Sequence, residues 1–206
     1  DLARVANRPY LVHEHYSGYL RKRLSKAEWE LTARVYGDAA GVYGVSRSFS
    51  SVLEERVCKG TRSVDTLPNF IPKKFENVRS SPRETAEFLF VSLGRLVWLK
   101  RYDILLKAFA KSFAGTTEKL LIGGQGPEEE KLRKMTRKLG IESQVQFGGG
   151  ISREEVIPFL QRGKIFVLSS QIETFGVALI ESLSLGMPVI ATACGGPEDI
   201  VRETNG

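Results

Sequence analysis

The stretch that decides the fold is "SSQIETFGVALIESLSLGMPVIAT", residues Ser169 to Thr192. A strand-like run, "IFVLSS", leads into it, and an apolar helical pattern over 176–185 precedes a second strand-like run over 189–192. Strand, helix and strand in this order are typical of a parallel α/β sheet. Two carboxylates, Glu173 and Glu181, lie on either side of the predicted helix start. Carboxylates at these places in an apolar stretch indicate a binding site as well as a fold.

The same alternation of strands and helices extends from this stretch toward the N-terminus. From residue 86 onward the predicted strands are Phe88–Leu93, Lys119–Ile122, Val145–Phe147, Ile165–Leu168 and Val189–Thr192, and the predicted helices are 103–114, 128–139, 153–162 and 176–185. Apolar strands that alternate with amphipathic helices favour a parallel sheet covered on both faces. In helix 128–139, Pro127 suits the start and Leu132, Met135 and Leu139 form the apolar stripe.

A shorter α/β series occupies residues 1–72. Its predicted strands lie at Tyr10–Val12, at 41–46 and in "SVDTLPNFIP". One helix is predicted over 20–37, with Leu24, Leu31 and Val35 near one face, and a second in "RSFSSVLEERVCKG". Residues 73–85 are polar and lack periodicity, which is typical of a linker. We therefore predict an α/β protein with two Rossmann-like, doubly wound parallel-sheet domains: an incomplete N-terminal one over 1–72 and a C-terminal one over 86–206.

The bulk composition is that of an ordinary globular chain. The 206 residues are 42% hydrophobic and 26% charged, and no apolar run approaches the roughly 20 residues of a membrane span. Because the chain starts at Asp1 and stops at "RETNG", we expect a fragment of a longer protein. Two cysteines, Cys58 and Cys194, form no disulfide framework and favour a reducing compartment.

The net charge and the number of residues that could bind a metal limit the classes of partner that the chain could have. A net charge of +6 favours an anionic partner, which leaves a phosphorylated metabolite, an acidic membrane surface and nucleic acid open. With two His, two Cys and no Asp-x-Asp pair, we predict no metal site. Nucleic-acid binding is disfavoured because the chain lacks a basic stripe with interleaved aromatic residues.

Two loops at the carboxyl edge of the predicted sheet carry unusual residues. In "SLGRLVWLKRYD", Arg95 and Lys100 follow Gly94, and two cations beside backbone N–H groups suit a diphosphate; solvated surface charges are the alternative. In "LIGGQGP", the glycines permit either close approach to a ligand or a tight strand–helix turn. This cluster is not a G-x-G-x-x-G pattern, so it gives no dinucleotide fingerprint.

The opening stretch supplies the third loop. A helix that starts near Gly176 offers free N–H groups and a partial positive charge, and the missing Cβ lets a phosphate approach. Glu181 could then hold ribose hydroxyls and Glu173 the hydroxyls of a second sugar, because an ionised carboxylate only accepts hydrogen bonds. The alternatives are helix capping for Glu173 and an exposed helix charge for Glu181.

These motifs, in this order, resemble the retaining glycosyltransferases of the GT-B fold, in the group with a Glu-x7-Glu motif. The motif stands here as Glu173–Glu181, and the matching segments are "GRLVWLK", "LLIGGQGPEEEKL", "VQFGGGIS", "FVLSSQIETFGVALIESLSLGMPVIAT" and "GGPEDIV". The resemblance is strong over 86–206 and weaker over 1–72. It implies transfer of a sugar from a nucleoside-diphosphate sugar with retention of anomeric configuration and without a metal or other cofactor.

The resemblance also implies residue roles. Arg95 and Lys100 would neutralise the diphosphate, Glu173 would hold the transferred sugar, and Glu181 would bind ribose. Main-chain contacts would come from Phe175, Gly176 and Val177 and, near the base, from the segment 146–148 that contains Phe147. His15, in "PYLVHEH", would lie beside the donor sugar, with His13 as the weaker candidate. A catalytic set of Glu173, His15, Arg95 and Lys100 follows.

The chain departs from the family at two places, and other functions stay open. Arg101 stands where the family often has Gly after the loop lysine, and "PNFIP" replaces the usual Pro-Asn-Gly-x-Asp exit. A GT-B-fold epimerase or hydrolase and a non-catalytic nucleotide-sugar-binding module are the alternatives.

The expected partners follow from the family. They are a nucleotide-sugar donor and a glycan or lipid-linked acceptor, with no nucleic acid. The basic segment Arg21, Lys22, Arg23 and Lys26 suggests peripheral contact with an anionic membrane, against the alternative of a solvated helix face. The expected location is the cytoplasm, including the inner face of the membrane.

Overall fold

The computed structural model describes residues 8–21, 24–75, 78 and 86–201. The strands are β1 Leu11–Glu14, β2 Gly41–Gly44, β3 Asp65–Thr66, β4 Phe88–Leu93, β5 Leu120–Gly123, β6 Val145–Phe147, β7 Gly163–Leu168 and β8 Val189–Ala191. The helices are α1 Lys26–Asp38, α2 Arg47–Arg56, α3 Tyr102–Phe113, α4 Glu129–Lys138, α5 Val156–Leu160, α6 Val177–Ser184 and α7 Gly196–Ile200, with single 3₁₀ turns at Lys73–Phe75 and Trp98–Lys100.

Five of the strands form one parallel sheet in the order β6-β5-β4-β7-β8. Val91 in the central strand pairs with Leu121 on one side and Phe166 on the other, and all three side chains are fully buried. A parallel sheet is stable only when both faces are covered, which explains these continuous apolar runs. The carboxyl ends of β4, β5 and β7 therefore meet at one edge.

The predicted helix over 128–139 is confirmed with shifted ends. The helix α4 begins at Glu129 rather than at Pro127, and its N-cap is Glu128. Leu132 is buried, and Met135 and Leu139 pack against the same core cluster. The stripe predicted from the sequence is therefore the buried face of α4.

The smaller sheet has three parallel strands in the order β1-β2-β3. The predicted helix over 20–37 is wrong in its start and in its buried face. It begins at Lys26 because Ser25 and Glu28 form a capping box. Leu31 and Val35 are exposed, and Tyr36 is the buried residue of this helix.

Contacts between residues divide the described chain into two units. One unit holds residues 8–21, 24–70, 172–176 and 194–201, and the other holds 71–75, 78, 86–171 and 177–193. In the first unit α7 packs against α2, and the Asp199 carboxylate accepts a hydrogen bond from the backbone N–H of Arg47. The proposed domain boundaries at 72 and 86 stay a prediction.

Candidate functional site

The loop after β4 carries both predicted cations, Arg95 and Lys100. Lys100 folds back over Gly94, so that a Cβ built on Gly94 would lie 3.8 Å from the Lys100 Nζ atom. The Tyr102 hydroxyl donates a hydrogen bond of 3.3 Å to the carbonyl oxygen of Gly94. Arg95 follows directly and its side chain is exposed. Both cations therefore lie at the carboxyl end of the central strand.

The glycine cluster after β5 fits against this loop. The backbone N–H of Gly94 donates to the carbonyl of Gly123 at 3.0 Å, and that of Leu96 donates to the carbonyl of Gln125 at 2.9 Å. A Cβ on Gly124 would lie 1.9 Å from the Gly94 oxygen, and one on Gly126 would lie 2.3 Å from the Leu96 oxygen. Such distances are impossible for real atoms, so the neighbouring loop requires glycine here. The positive φ of Gly124, 127°, also agrees with the tight turn that the sequence suggested, and the close approach of the neighbouring loop is a further reason for glycine.

The end of β7 holds the same loop from the other side. The hydroxyl of Ser169 donates to the carbonyl oxygen of Lys100 at 2.8 Å. The backbone N–H of Gln171 donates to the carbonyl oxygen of Leu99, also at 2.8 Å. The sequence did not point to Ser169 as a support of the lysine, because a serine at a strand end carries no signal of its long-range partner.

Glu181 is half-buried on α6, so it is not the exposed helix charge that was the alternative. Burial raises the pKa of its carboxyl above the ordinary value, and the charges of Lys74 and Arg153 oppose that shift. The helix begins at Val177, directly after Gly176, whose φ of 102° lies in the left-handed region that favours glycine. The carboxylate thus has a defined, partly desolvated place.

Phe147 is the last residue of β6, and its side chain contributes to core packing. Its ring packs against the core cluster, and the guanidinium of Arg133 lies over it at 4.5 Å from the ring centroid. The next residue, Gly148, donates its N–H to the carbonyl of Ile122 at 2.8 Å. A role of this segment in donor binding through its backbone stays a prediction.

Glu173 and Phe175 belong to the unit that contains the smaller, three-stranded sheet. The turn after β8 holds their backbone. The N–H of Glu173 donates to the carbonyl of Cys194, and its own carbonyl accepts from the N–H of Gly196, both at 3.0 Å. Phe175 is buried, and a Cβ on Gly196 would lie 2.3 Å from its Cα. The Gly-Gly of "ACGGPEDIV" is therefore needed for this close approach.

His15 lies in the same unit, just beyond β1, on a turn held by Glu14. One carboxylate oxygen of Glu14 accepts the backbone N–H groups of His15 at 2.9 Å and Tyr16 at 2.8 Å. Its other oxygen accepts the hydroxyl of buried Tyr36 at 2.6 Å. No sequence pattern indicated this network, which joins β1 to α1.

The two histidines of the chain contact each other. The ring centroids of His13 and His15 are 4.4 Å apart, and His13 Nε2 lies 2.8 Å from the carbonyl oxygen of Leu67. Because a carbonyl only accepts, this nitrogen carries a proton. Burial, followed by the nearby His13, lowers the pKa of His15, against the opposing charge of Glu14. The ring of His13 therefore serves a hydrogen bond within the fold, whereas the imidazole of His15 is exposed.

The described part of the chain contains no group of three or more His, Cys, Asp or Glu residues that could hold a metal ion. In the same part, no helix is both long and apolar enough to cross a membrane.

Known proteins resemble this chain over between about half and nearly all of its length. It is 24% identical to N-acetyl-alpha-D-glucosaminyl L-malate synthase of Bacillus anthracis, over 98% of this chain and 61% of that protein. It is 34% identical to the lipopolysaccharide core biosynthesis glycosyltransferase LpsE of Rhizobium meliloti, over 55% of this chain and 32% of that protein. The chain thus spans less than two thirds of the length of each of these relatives.

A solved structure confirms the fold. HepE from Anabaena, in complex with UDP and glucose, superposes with a TM-score of 0.82 at 20% identity, over 98% of this chain and 57% of that chain. The predicted α/β class with parallel sheets is thereby confirmed, and the chain matches GT-B structures as a fragment with a single Rossmann-like domain.

The family follows from the sequence match. Residues 73–206, well over half of the chain, match the family described as "Glycosyl transferases group 1". This segment contains the loop from Arg95 to Lys100, whose backbone is held by hydrogen bonds, and the Glu173–Glu181 pair. The chain belongs to the glycosyl transferases group 1 family.

Proposed function

We propose that the protein transfers a sugar from a nucleoside-diphosphate sugar to an acceptor, with retention of anomeric configuration and without a metal ion. The observation that carries this proposal is the loop at the end of β4. It places Lys100 against Gly94, beside Arg95, and its backbone is fixed by hydrogen bonds from two neighbouring strand ends. Preorganised cations of this kind stabilise the negative charge that grows on a departing diphosphate.

The other residues take roles consistent with their chemistry. Glu181, held half-buried on α6, accepts hydrogen bonds from the ribose hydroxyls. The backbone around Phe175, Gly176 and Val177 contacts phosphate and sugar, and Glu173 holds the transferred sugar. His15 contributes its exposed imidazole beside that sugar.

The proposed reaction exchanges one bond at the anomeric carbon for another on the same face. The bond from that carbon to the diphosphate oxygen breaks, and a bond to the acceptor hydroxyl oxygen forms. The acceptor's proton passes to the departing phosphate oxygen. In this scheme Arg95 and Lys100 supply the charge stabilisation that a divalent cation supplies elsewhere.

The acceptor class is proposed from the relatives. LpsE of Rhizobium meliloti is described as acting in lipopolysaccharide core biosynthesis, and another relative, from Schizosaccharomyces pombe, is a phosphatidylinositol N-acetylglucosaminyltransferase subunit. We accordingly propose a glycan or lipid-linked acceptor, reached in the cytoplasm or at the inner face of an anionic membrane. Lys22 and Arg23 of the basic segment lie outside the described residues.

Calorimetric titration tests the donor site. UDP, GDP and ADP, then the matching nucleotide sugars, are titrated into the whole protein with and without a chelator, beside Arg95→Ala and Glu181→Ala. We expect one nucleotide to bind, both substitutions to weaken it about tenfold or more, and the chelator to change nothing. Equal binding by wild type and both variants would contradict the donor site.

The stereochemical part needs a separate measurement. Proton NMR of the product formed in the first turnovers reports its anomeric configuration. We expect the configuration of the donor, and inversion would contradict the proposed mechanism while leaving the donor site intact.

A further inference from the structure

Arg101, the residue after Lys100, has a backbone that disfavours a side chain. Its φ is 47° and its ψ is 40°, in the left-handed region. Among the described residues other than glycine, Lys59 and Arg101 are the ones with positive φ. A left-handed conformation is unfavourable for L-residues that carry a Cβ, and glycine adopts it readily. An arginine here therefore needs a compensating interaction.

The compensating interaction is a two-point contact with Asp103. Arg101 Nε lies 2.9 Å from Asp103 Oδ1, and Nη2 lies 3.2 Å from Oδ2. The two side chains are only 32% and 25% exposed, so the pair is better shielded than an ordinary surface ion pair. The hydrogen bond from Arg101 is the main reason why the pKa of Asp103 is lowered.

The conformation of Arg101 governs where Lys100 lies. Arg101 ends the 3₁₀ turn that contains Lys100, donating its N–H to the Trp98 carbonyl at 3.2 Å. It also starts α3, because its carbonyl accepts the N–H of Ile104 at 2.9 Å. Ser169 and Gln171 hold the lysine turn from the side of β7, and Arg101 joins this turn to α3. With another φ at Arg101, the turn and α3 could not both keep their places, and strain would be placed on the turn that sets Lys100 beside Gly94.

We propose that Arg101 and Asp103 are positioning residues for Lys100, their ion pair holding the left-handed backbone that places the lysine beside Gly94. This inference rests on the proposed function, in which Lys100 binds the diphosphate. Neither Arg101 nor Asp103 contacts the ligand in this scheme. The ion pair raises the fraction of molecules in which the loop has the conformation that binds the ligand. When that fraction falls, the apparent dissociation constant rises.

Two substitutions at Arg101 separate backbone conformation from charge. The whole protein is titrated with UDP, GDP or ADP, whichever binds the wild type. Arg101→Ala, which keeps a Cβ and loses the pair, should weaken binding about three- to tenfold. Arg101→Gly, which loses the same charge but adopts the left-handed conformation freely, should bind within about twofold of the wild type. Equal losses in both variants would show a direct contact of the guanidinium with the ligand and overturn the proposal.

Double variants test whether the pair acts through Lys100. Asp103→Asn should weaken binding in the wild-type background but have little effect in the Arg101→Gly background. Arg101→Ala should add nothing to Lys100→Ala, because the positioned group is already gone. Additive losses would overturn the positioning role.

A single control distinguishes this inference from the proposed function. If Lys100→Ala binds the nucleotide as tightly as the wild type, the role of Lys100 in the proposed function fails and the positioning role fails with it. If Lys100→Ala weakens binding and Arg101→Ala does not, only the positioning inference is overturned.

Discussion

Glu181 carries a carboxylate that the fold half buries on α6, and no hydrogen bond or ion pair to that carboxylate is found among the described residues. Burial disfavours the charged form, which is why the pKa of this group is raised. A charge kept at a cost to stability is common in binding sites, where ligand hydroxyls supply the missing partners.

The Glu181→Gln variant should therefore be more stable and bind more weakly. At pH 7 we expect its melting temperature to rise by about 1–3 °C and its nucleotide affinity to fall about tenfold or more. Because the native state holds the proton more tightly than the unfolded state, the gain in stability should shrink as pH falls through the raised pKa. Calorimetry over pH 4–8 measures both effects.

The exposed Glu154 provides the matched control for that experiment. Glu154→Gln should change neither the melting temperature nor the nucleotide affinity appreciably. A Glu181→Gln variant that loses stability at pH 7 would show that its carboxylate has a stabilising partner.

The imidazole of His15 should titrate below its ordinary value of 6.5, since burial and His13 both lower its pKa. In an NMR titration, His13→Gln should move the midpoint up and Glu14→Gln should move it down, because those neighbours act in opposite directions. The unfolded state binds this proton more tightly, so the contribution of His15 to stability falls as pH drops from 6.5 toward the lowered pKa. A midpoint above 6.5 would contradict this assignment.

At the scale of elements, the loops after β4 and β5 stabilise each other through glycine. A Cβ on Gly126 would lie 2.3 Å from the Leu96 carbonyl oxygen, a backbone atom that cannot rotate away. We expect Gly126→Ala to lower the free energy of unfolding by about 2–3 kcal/mol and to weaken nucleotide binding by displacing the Arg95 loop. Urea unfolding and calorimetric titration measure the two effects.

A helical glycine with open surroundings gives the control. Gly37 lies in α1, and a Cβ there would meet nothing within 4 Å. Gly37→Ala should stabilise the protein by about 0.5–1 kcal/mol and leave nucleotide binding unchanged. If both alanine variants behaved alike, the contact between the two loops would not be the cause.

At the scale of the whole molecule, a ligand that binds only the native state should raise the melting temperature. With the nucleotide at 100 times its dissociation constant, the expected stabilisation is about 2.7 kcal/mol, or roughly 5–10 °C for a chain of this size. A scanning-fluorimetry series with UDP, GDP and ADP measures it.

Oligonucleotides complete that series, because the net charge of +6 leaves a nucleic-acid partner open on charge alone. We expect them to give no shift at physiological salt. A shift that falls steeply with salt would revive that alternative.

Much of the fold could be read from local pattern. The strands Phe88–Leu93 and Val145–Phe147 have the predicted bounds, because short apolar runs between helical segments have few other ways to bury their side chains. The predicted buried face of α1 is wrong. Its apolar residues Leu31 and Val35 suggested that face, but both are exposed, and Tyr36 is the buried residue. The Ser25-x-x-Glu28 capping box was a readable signal for its true start.

The sequence by itself determined the alternation of strands and helices, the family and the residue types of the candidate site, because periodicity and motif order are local properties of the chain. Only the tertiary structure decided why Gly124 and Gly126 are glycines, how Ser169 fixes the Lys100 backbone, and that Arg101 stands in a left-handed conformation beside Asp103. Each of these depends on atoms from distant segments or on a backbone angle that residue identity does not reveal. Such contacts exist only after the strands have paired and brought their carboxyl ends to one edge.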